Sequence, residues 1–471
     1  MQAVRYNFSI PKYLMAKGFG RWSPAVYTSR FSSALSLDDV PEPVLPGPDW
    51  LAIEPTYSGI CGTDIGTITG KTSPALEPFA SFPATLGHEV VGRVVEVGAQ
   101  VSHVRVGDRV VVDPWISCRV RGLDPCPPCR SGTPYLCRRA AEGRFGPGML
   151  IGFCQGLPGG WSRRMVAHAS QAFLVPKDLS DETAVLIEPL SVAVHGVLRA
   201  LRASGAHARA HAHTRAQVHA ETESRMAGVA VSNPASVGNA GFSGFSGFSD
   251  SGDLESSGDA SAWAHWGPDT HVLVVGAGAI GLAVVAAIRL LGLACRITVL
   301  ARYPFQGELA TALGADEVVA SRRGTAVAAA QSVTGAQVYR PRIGPPVITG
   351  GFDVVFDCVG TTSSIADSLR VAREHGRVVV LGGAGELEKV DWTFVWMREL
   401  EVVGSCGYGY EPGHGRHTYE VLFDLLSKKR DLPLHRLITH RFPLSAYRDA
   451  IRCNLERAKT GAVKTVFCES P

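Results

Sequence analysis

Residues 271–290, HVLVVGAGAIGLAVVAAIRL, decide the fold. The opening run His271-VLVV is short and wholly apolar after its first residue, the texture of a strand buried on both faces of a parallel sheet. Gly276, Gly278 and Gly281 then stand in G-x-G-x-x-G spacing, and an apolar segment of helical character follows. Each glycine has a job. Gly276 permits a tight turn, Gly278 lets the backbone approach a pyrophosphate, and Gly281 lets the helix lie close to the strand. The helix N-terminus then presents unpaired N–H groups and the positive end of its dipole to the phosphates. The spacing alone is a weak signal, because glycine and alanine are common. A strand before it and a helix after it make it a dinucleotide site built from Gly276, Gly278, Ala279, Ile280 and Gly281.

Working outward, Arg296-ITVL, Asp316-EVVA, Asp353-VVFD and Gly376-RVVVL repeat the buried-strand texture, with helical segments between most of them. The region is a doubly wound α/β domain. Its second strand runs into Ala301-Arg302-Tyr303. A carboxylate at this place would grip the ribose hydroxyls and repel a 2′-phosphate; alanine removes the repulsion and Arg302 offers a phosphate partner. The cofactor is thus NADP or NAD, with the lean towards NADP.

Residues 36–115 have a different character. Trp50-LAIEPTYSG, Glu89-VVGRVVEVG and Gly107-DRVVV are Val-rich and bounded by Gly, Pro or Asp, which predicts a small antiparallel barrel or folded sheet. After Cys406 a helix over 417–429, the strand Leu437-ITHRF and the strand Ala462-VKTVF close the chain. Residues 204–266 are rich in Ala, His, Ser and Gly and contain the repeat Gly241-FSGFSGFSD, too thinly apolar for a core. They read as a disordered insertion, and the histidines within it carry no site.

A chain of 471 residues exceeds one ordinary core, and its 45% hydrophobic content suffices for two. A net charge of +3 leaves no electrostatic footprint for nucleic acid, and there is no basic amphipathic helix for a membrane surface. The N-terminal MQAVRYNFSIPKYLMAKGF lacks the apolar core and cleavage site of a secretion signal, and no run reaches the length of a membrane span. Eleven cysteines, an odd count and mostly scattered, make a poor disulfide framework and fit a reducing cytoplasm.

Four of those cysteines are gathered in Cys118-RVRGLDP-Cys126-PP-Cys129-RSGTPYL-Cys137. Elsewhere stand Cys61-Gly62-Thr63-Asp64, Gly87-His88-Glu89 and Ile187-Glu188-Pro189. The thiolates would close a structural ion, whereas the mixed Cys/His/carboxylate set leaves a position open for substrate. A closed and an open site together point to a zinc enzyme.

In this order, with Gly107-Asp108-Arg109-Val110 and the glycine turn, the motifs resemble those of the zinc-dependent medium-chain dehydrogenases, a family that includes alcohol, sorbitol, glucose and threonine dehydrogenases. The likeness covers nearly the whole chain apart from the insertion. It implies a GroES-like, mostly β catalytic domain over 1–188, a Rossmann domain over 189–405 carrying the insertion 204–266, and a segment 406–471 completing the catalytic domain. It further implies a catalytic zinc held by Cys61, His88, Glu89 and Glu188, with Thr63 relaying the substrate proton, and a structural zinc on Cys118, Cys126, Cys129 and Cys137. Glu188 stands where alcohol dehydrogenases usually place a cysteine, which favours the polyol and threonine branch. In the family two residues usually separate the first two lobe cysteines; here seven do, and Leu123 takes the usual first place. The implied reaction moves a hydride between an alcohol, polyol or sugar hydroxyl and NAD(P), in a homodimer or homotetramer. Loops around Ile65 to Phe82, Trp115 and Tyr408 would line the substrate pocket, Asp64 would hold its loop, and His195 would pack within its helix. The rival readings are a zinc-free quinone or enone reductase of this fold, which would lack the Cys/His/Glu set, and a non-catalytic NADPH-binding protein.

Overall fold

The computed structural model describes residues 1–20, 22–202 and 266–469. The glycine-turn strand, His271–Val275, lies inside a six-stranded sheet. Its neighbours run in the order Glu317–Ala320, Arg296–Ala301, His271–Val275, Phe352–Asp357, Ala372–Val380 and Glu401–Gly404, all parallel. Strand order reverses between His271–Val275 and Phe352–Asp357, and such a switch point opens a crevice at the strands' carboxyl ends. Gly276 and Gly281 behave as the sequence predicts. Gly276 has φ +91°, and a Cβ on Gly281 would stand 1.8 Å from the Gly276 carbonyl oxygen, a backbone atom that cannot yield. The helix Ala279–Leu290 therefore packs directly on the turn.

The second sheet centres on Trp50–Gly59, which pairs with Val90–Val97, Met165–His168 and Lys464–Cys468, all antiparallel. Val91 faces Val111 in the next strand, as the paired GRVVEVG and GDRVVV segments predict. The last strand registers Val466 against Gly59, which brings the C-terminal segment alongside the loop beginning at Cys61. Trp50, Leu51, Ile53, Val94, Val110 and Met165 form the centre of its core.

Several elements depart from the sequence expectation. Within the stretch read as β, Gly62–Ile68 is a helix, because Asp64 caps it: the Cys61 N–H donates to Asp64 Oδ2 at 2.8 Å. The N-terminal residues form a strand, Gln2–Tyr6, paired with Leu35–Asp39, and a helix, Ile10–Phe19, started by Ser9 and Pro11. A hairpin pairs Gln337–Tyr339 with Val347–Thr349. The expected insertion lies outside the described residues except at its last position. There Trp266 is buried, its ring 6.1 Å from that of Phe356. Among the described residues no helix is long and apolar enough to cross a membrane.

Candidate functional site

A cleft of about 2500 Å³ is lined on one side by Cys61, His88, Glu89 and Glu188, and on the other by Gly276, Gly278 and Arg302. Cys61 sits at the helix start, with Thr63 Oγ1 3.6 Å from its sulfur. His88 is buried, and its Nδ1 lies 3.6 Å from Asp64 Oδ1. That carboxylate faces Nδ1, on the side where a metal-bound histidine has its outer partner. Burial alone would push the imidazole pKa down; Asp64 and Cys61 reverse this and hold it well above the ordinary value. The pocket thus stabilises positive charge.

The Cys61 sulfur, a His88 ring nitrogen and a Glu89 carboxylate oxygen all lie within 4.8 Å of one another, a mixed soft and hard donor set that fits zinc. Sequence reasoning missed the residue that holds Glu89. Lys464 Nζ donates to both carboxylate oxygens, at 2.6 and 2.7 Å, and approaches the Ile60 carbonyl at 3.4 Å. Burial works against the ammonium, but the Glu89 charge raises its pKa overall. A signal existed: Lys464 opens a strand of five residues that are all buried, where a lysine needs a partner.

Glu188 stands outside that 4.8 Å grouping. It lies at the start of the helix Ile187–Leu201, and its Oε1 accepts from the Tyr408 hydroxyl at 3.0 Å. Tyr408 meets the Tyr419 hydroxyl at 3.0 Å, and Tyr419 donates to the Val112 carbonyl at 3.1 Å. Burial, with Glu89 adding to it and His88 opposing it, raises the Glu188 pKa to about 7. The structure thus brings Cys61, His88 and Glu89 together and sets Glu188 slightly apart. The loop before Tyr408 lines the cleft through Ser405 and Cys406, as Trp115 and Ile65 do, while Tyr408 itself is fully buried and supports Glu188. His195 is packed as expected, between Glu411 at 2.6 Å and the Tyr135 hydroxyl at 3.1 Å.

The sulfurs of Cys118, Cys126, Cys129 and Cys137 also lie within 4.8 Å of one another. The long first spacer closes because the N–H groups of Arg121 and Leu123 both turn back to the Cys118 carbonyl, at 3.1 and 2.9 Å. Arg121 is buried and pins the lobe through the carbonyls of Glu142 and Gly148. Burial resists ionisation of Cys126, yet backbone N–H groups of Arg138 and Cys129 bring it down to about 6. Cys137 is pushed up to about 11, mainly by burial, and Cys129 rises too. Cys126 ionises easily while Cys129 and Cys137 resist, and a divalent cation bound here would favour the thiolate forms.

At the cofactor end Arg302 lies over the Tyr303 ring, 5.6 Å from its centroid. Arg322 and Arg323, just past the strand Glu317–Ala320, line the same end of the cleft. The sequence reading named Arg302 alone, since the other two become neighbours only through strand pairing.

Residues 47–177 match the model of the alcohol dehydrogenase GroES-like domain, and residues 279–428 that of zinc-binding dehydrogenases. The chain is 26% identical to a sorbitol dehydrogenase of Arabidopsis thaliana over 421 residues, 89% of each chain. It is 27% identical to an L-idonate 5-dehydrogenase of Vitis vinifera, across 87% of this chain and 85% of that one. A provisionally assigned zinc-binding dehydrogenase from Sinorhizobium meliloti 1021, bound to NADP, superposes with a TM-score of 0.64 at 25% identity. That match covers 99% of this chain and 98% of the other.

Proposed function

We infer that this chain, which belongs to the zinc-dependent medium-chain dehydrogenases, oxidises alcohol or polyol hydroxyls with NAD(P)⁺ at the Cys61–His88–Glu89 cluster. The observation that carries the assignment is the cluster's place in the same cleft as the glycine turn. Cys61 and His88 would hold the ion, with Glu89 and Glu188 as its exchangeable carboxylate partners. When bound, zinc supplies a Lewis acid that lowers the pKa of a substrate hydroxyl. Thr63, exposed and beside the Cys61 sulfur, relays the proton: its Oγ1 accepts the substrate hydroxyl proton as its own hydroxyl proton passes to water. Asp64 keeps the His88 ring in position, and Lys464 neutralises Glu89 when that carboxylate is off the ion. The turn at Gly276 to Gly281 holds the dinucleotide pyrophosphate, and Arg302, aided by Arg322 and Arg323, supports NADP over NAD.

The four lobe cysteines would carry a second, structural zinc. Polyol-type substrates are supported by the sorbitol and idonate dehydrogenases among the relatives and by Glu188. A homo-oligomer is supported by the edge strand Glu401–Gly404 and by Trp396, 72% exposed beside it. A reducing, cytoplasmic setting is supported by eleven free cysteines, four of them gathered as metal ligands. A zinc-free reductase would not need the Cys/His/Glu cluster. The test is reduction of NADP⁺ and NAD⁺ across a panel of alcohols and polyols, before and after chelation. Turnover lost on chelation and restored by zinc is expected; chelator-resistant turnover would favour the zinc-free reading.

A further inference from the structure

One face of the helix Ile187–Leu201 turns Glu188, Val192, His195 and Arg199 to the cleft, at spacings of four, three and four residues. Glu188 is engaged by Tyr408, and His195 by Glu411 and Tyr135. Arg199 is engaged by nothing among the described residues. It forms no ion pair or hydrogen bond among the described residues, and its Nε is buried without a partner. The Cys406 thiol nearby, its pKa raised by the partial desolvation of the cleft wall, stays uncharged and supplies no counter-ion.

A guanidinium keeps its charge and offers five N–H donors in a fork shaped for an oxyanion. Leaving one partly desolvated and unpaired is unfavourable unless a ligand supplies the anion. The dinucleotide's phosphates go to the glycine turn and the arginines near Arg302, and its carboxamide is neutral. The anion at Arg199 therefore arrives with the substrate.

We propose that Arg199 is a substrate oxyanion receptor, so that the compound oxidised is a hydroxy acid or a polyol phosphate. The proposal rests on the zinc dehydrogenase reading and narrows its substrate class. Eleven positions separate Glu188 from Arg199, about 16 Å of helix rise, and long side chains in a helix lean back towards its N-terminus. The remaining span suits an extended sugar acid or polyol phosphate and not a two-carbon alcohol. Val192 and His195 lie between the two ends and would flank the substrate's middle carbons.

The experiment measures kcat/KM for D-gluconate, sorbitol 6-phosphate and D-sorbitol in the wild type, Arg199→Gln and Arg199→Lys. The wild type should prefer one or both anions, and which one tells carboxylate from phosphate. Arg199→Gln should lose roughly 10- to 100-fold on the preferred anion, the weight of a charged hydrogen-bonded contact, with sorbitol within twofold of wild type. Arg199→Lys should retain part of the preference, since the charge remains without the fork. Calorimetric titration of the preferred anion onto the protein should show the same loss without turnover. A wild type that favours sorbitol, or an Arg199→Gln variant that loses all three substrates in parallel, overturns the oxyanion proposal alone. A zinc-loaded wild type that oxidises none of the three, nor any other alcohol with either cofactor, sinks the dehydrogenase reading and this proposal together.

Discussion

Replacing Lys464 by methionine strands a buried carboxylate. In the wild type the Lys464–Glu89 pair is almost sealed, with side-chain exposures of 4% and 1% and a shortest N–O distance of 2.6 Å. Both carboxylate oxygens depend on the ammonium, so its loss leaves Glu89 charged in a low-dielectric site. Breaking a buried pair from one side costs about 3–5 kcal/mol, whereas neutralising both partners is often close to neutral. Lys464→Met should therefore destabilise the metal-free protein by about 3–5 kcal/mol. Glu89→Gln with Lys464→Met should recover most of that, a coupling of at least about 2 kcal/mol. Urea titration with chelator present, followed by tryptophan fluorescence, measures it. Among the described residues, Trp161 is the one of the eight tryptophans whose ring lies against the lysine's own strand, 5.2 Å from Phe467, with its Nε1 donating to the Gly59 carbonyl at 3.0 Å. A double variant as unstable as Lys464→Met, or a Lys464→Met protein as stable as wild type, would refute the reasoning.

Two other outcomes are expected. Arg302→Ala should weaken NADPH binding by roughly 10- to 100-fold, the worth of a charge-assisted contact, and leave NADH nearly unchanged; equal losses for both cofactors in a fluorescence titration would remove the 2′-phosphate role. The contribution of His168 to stability should be lost as pH drops below about 6.5. His168 is kept neutral chiefly by burial, and its Nδ1 accepts from the Ser170 N–H at 3.0 Å, so its folded pKa lies below the unfolded value. The unfolded chain then takes up the proton first. The contribution is complete above the unfolded pKa and is lost as pH falls towards the folded one. Thermal melts between pH 5.5 and 7.5 should show a flatter acid limb in His168→Gln, and an unchanged slope would contradict the assignment.

What was legible in the sequence was what local spacing encodes. The glycine turn, the helix behind it and the alternating strands are specified within some twenty residues, so their reading carried through to the six-stranded sheet. Cys61, His88 and Glu89 could be named from short motifs, but their meeting depends on register between Trp50–Gly59 and Val90–Val97. Lys464 stands out as a lysine in an apolar strand, but its pairing with Glu89 is not legible because the two lie 375 positions apart. The role of Tyr408 behind Glu188 is hidden for a similar reason. Nothing near it in the chain shows that its hydroxyl is committed to Glu188, 220 positions earlier. The stretched cysteine spacing resolved through Arg121, whose buried guanidinium ties the lobe's carbonyls together and lets Cys118 reach the other sulfurs.

On the reading proposed above, one chain holds two zinc ions with different work. Metal content per chain, measured beside alcohol oxidation in the wild type, Cys126→Ser and Cys61→Ser, tests it most directly. The wild type should carry two zincs. Cys126→Ser should carry one and still turn over, while Cys61→Ser should also carry one and be inactive. A wild type without zinc that still oxidises alcohols, or a Cys61→Ser protein with full metal and full activity, would contradict it.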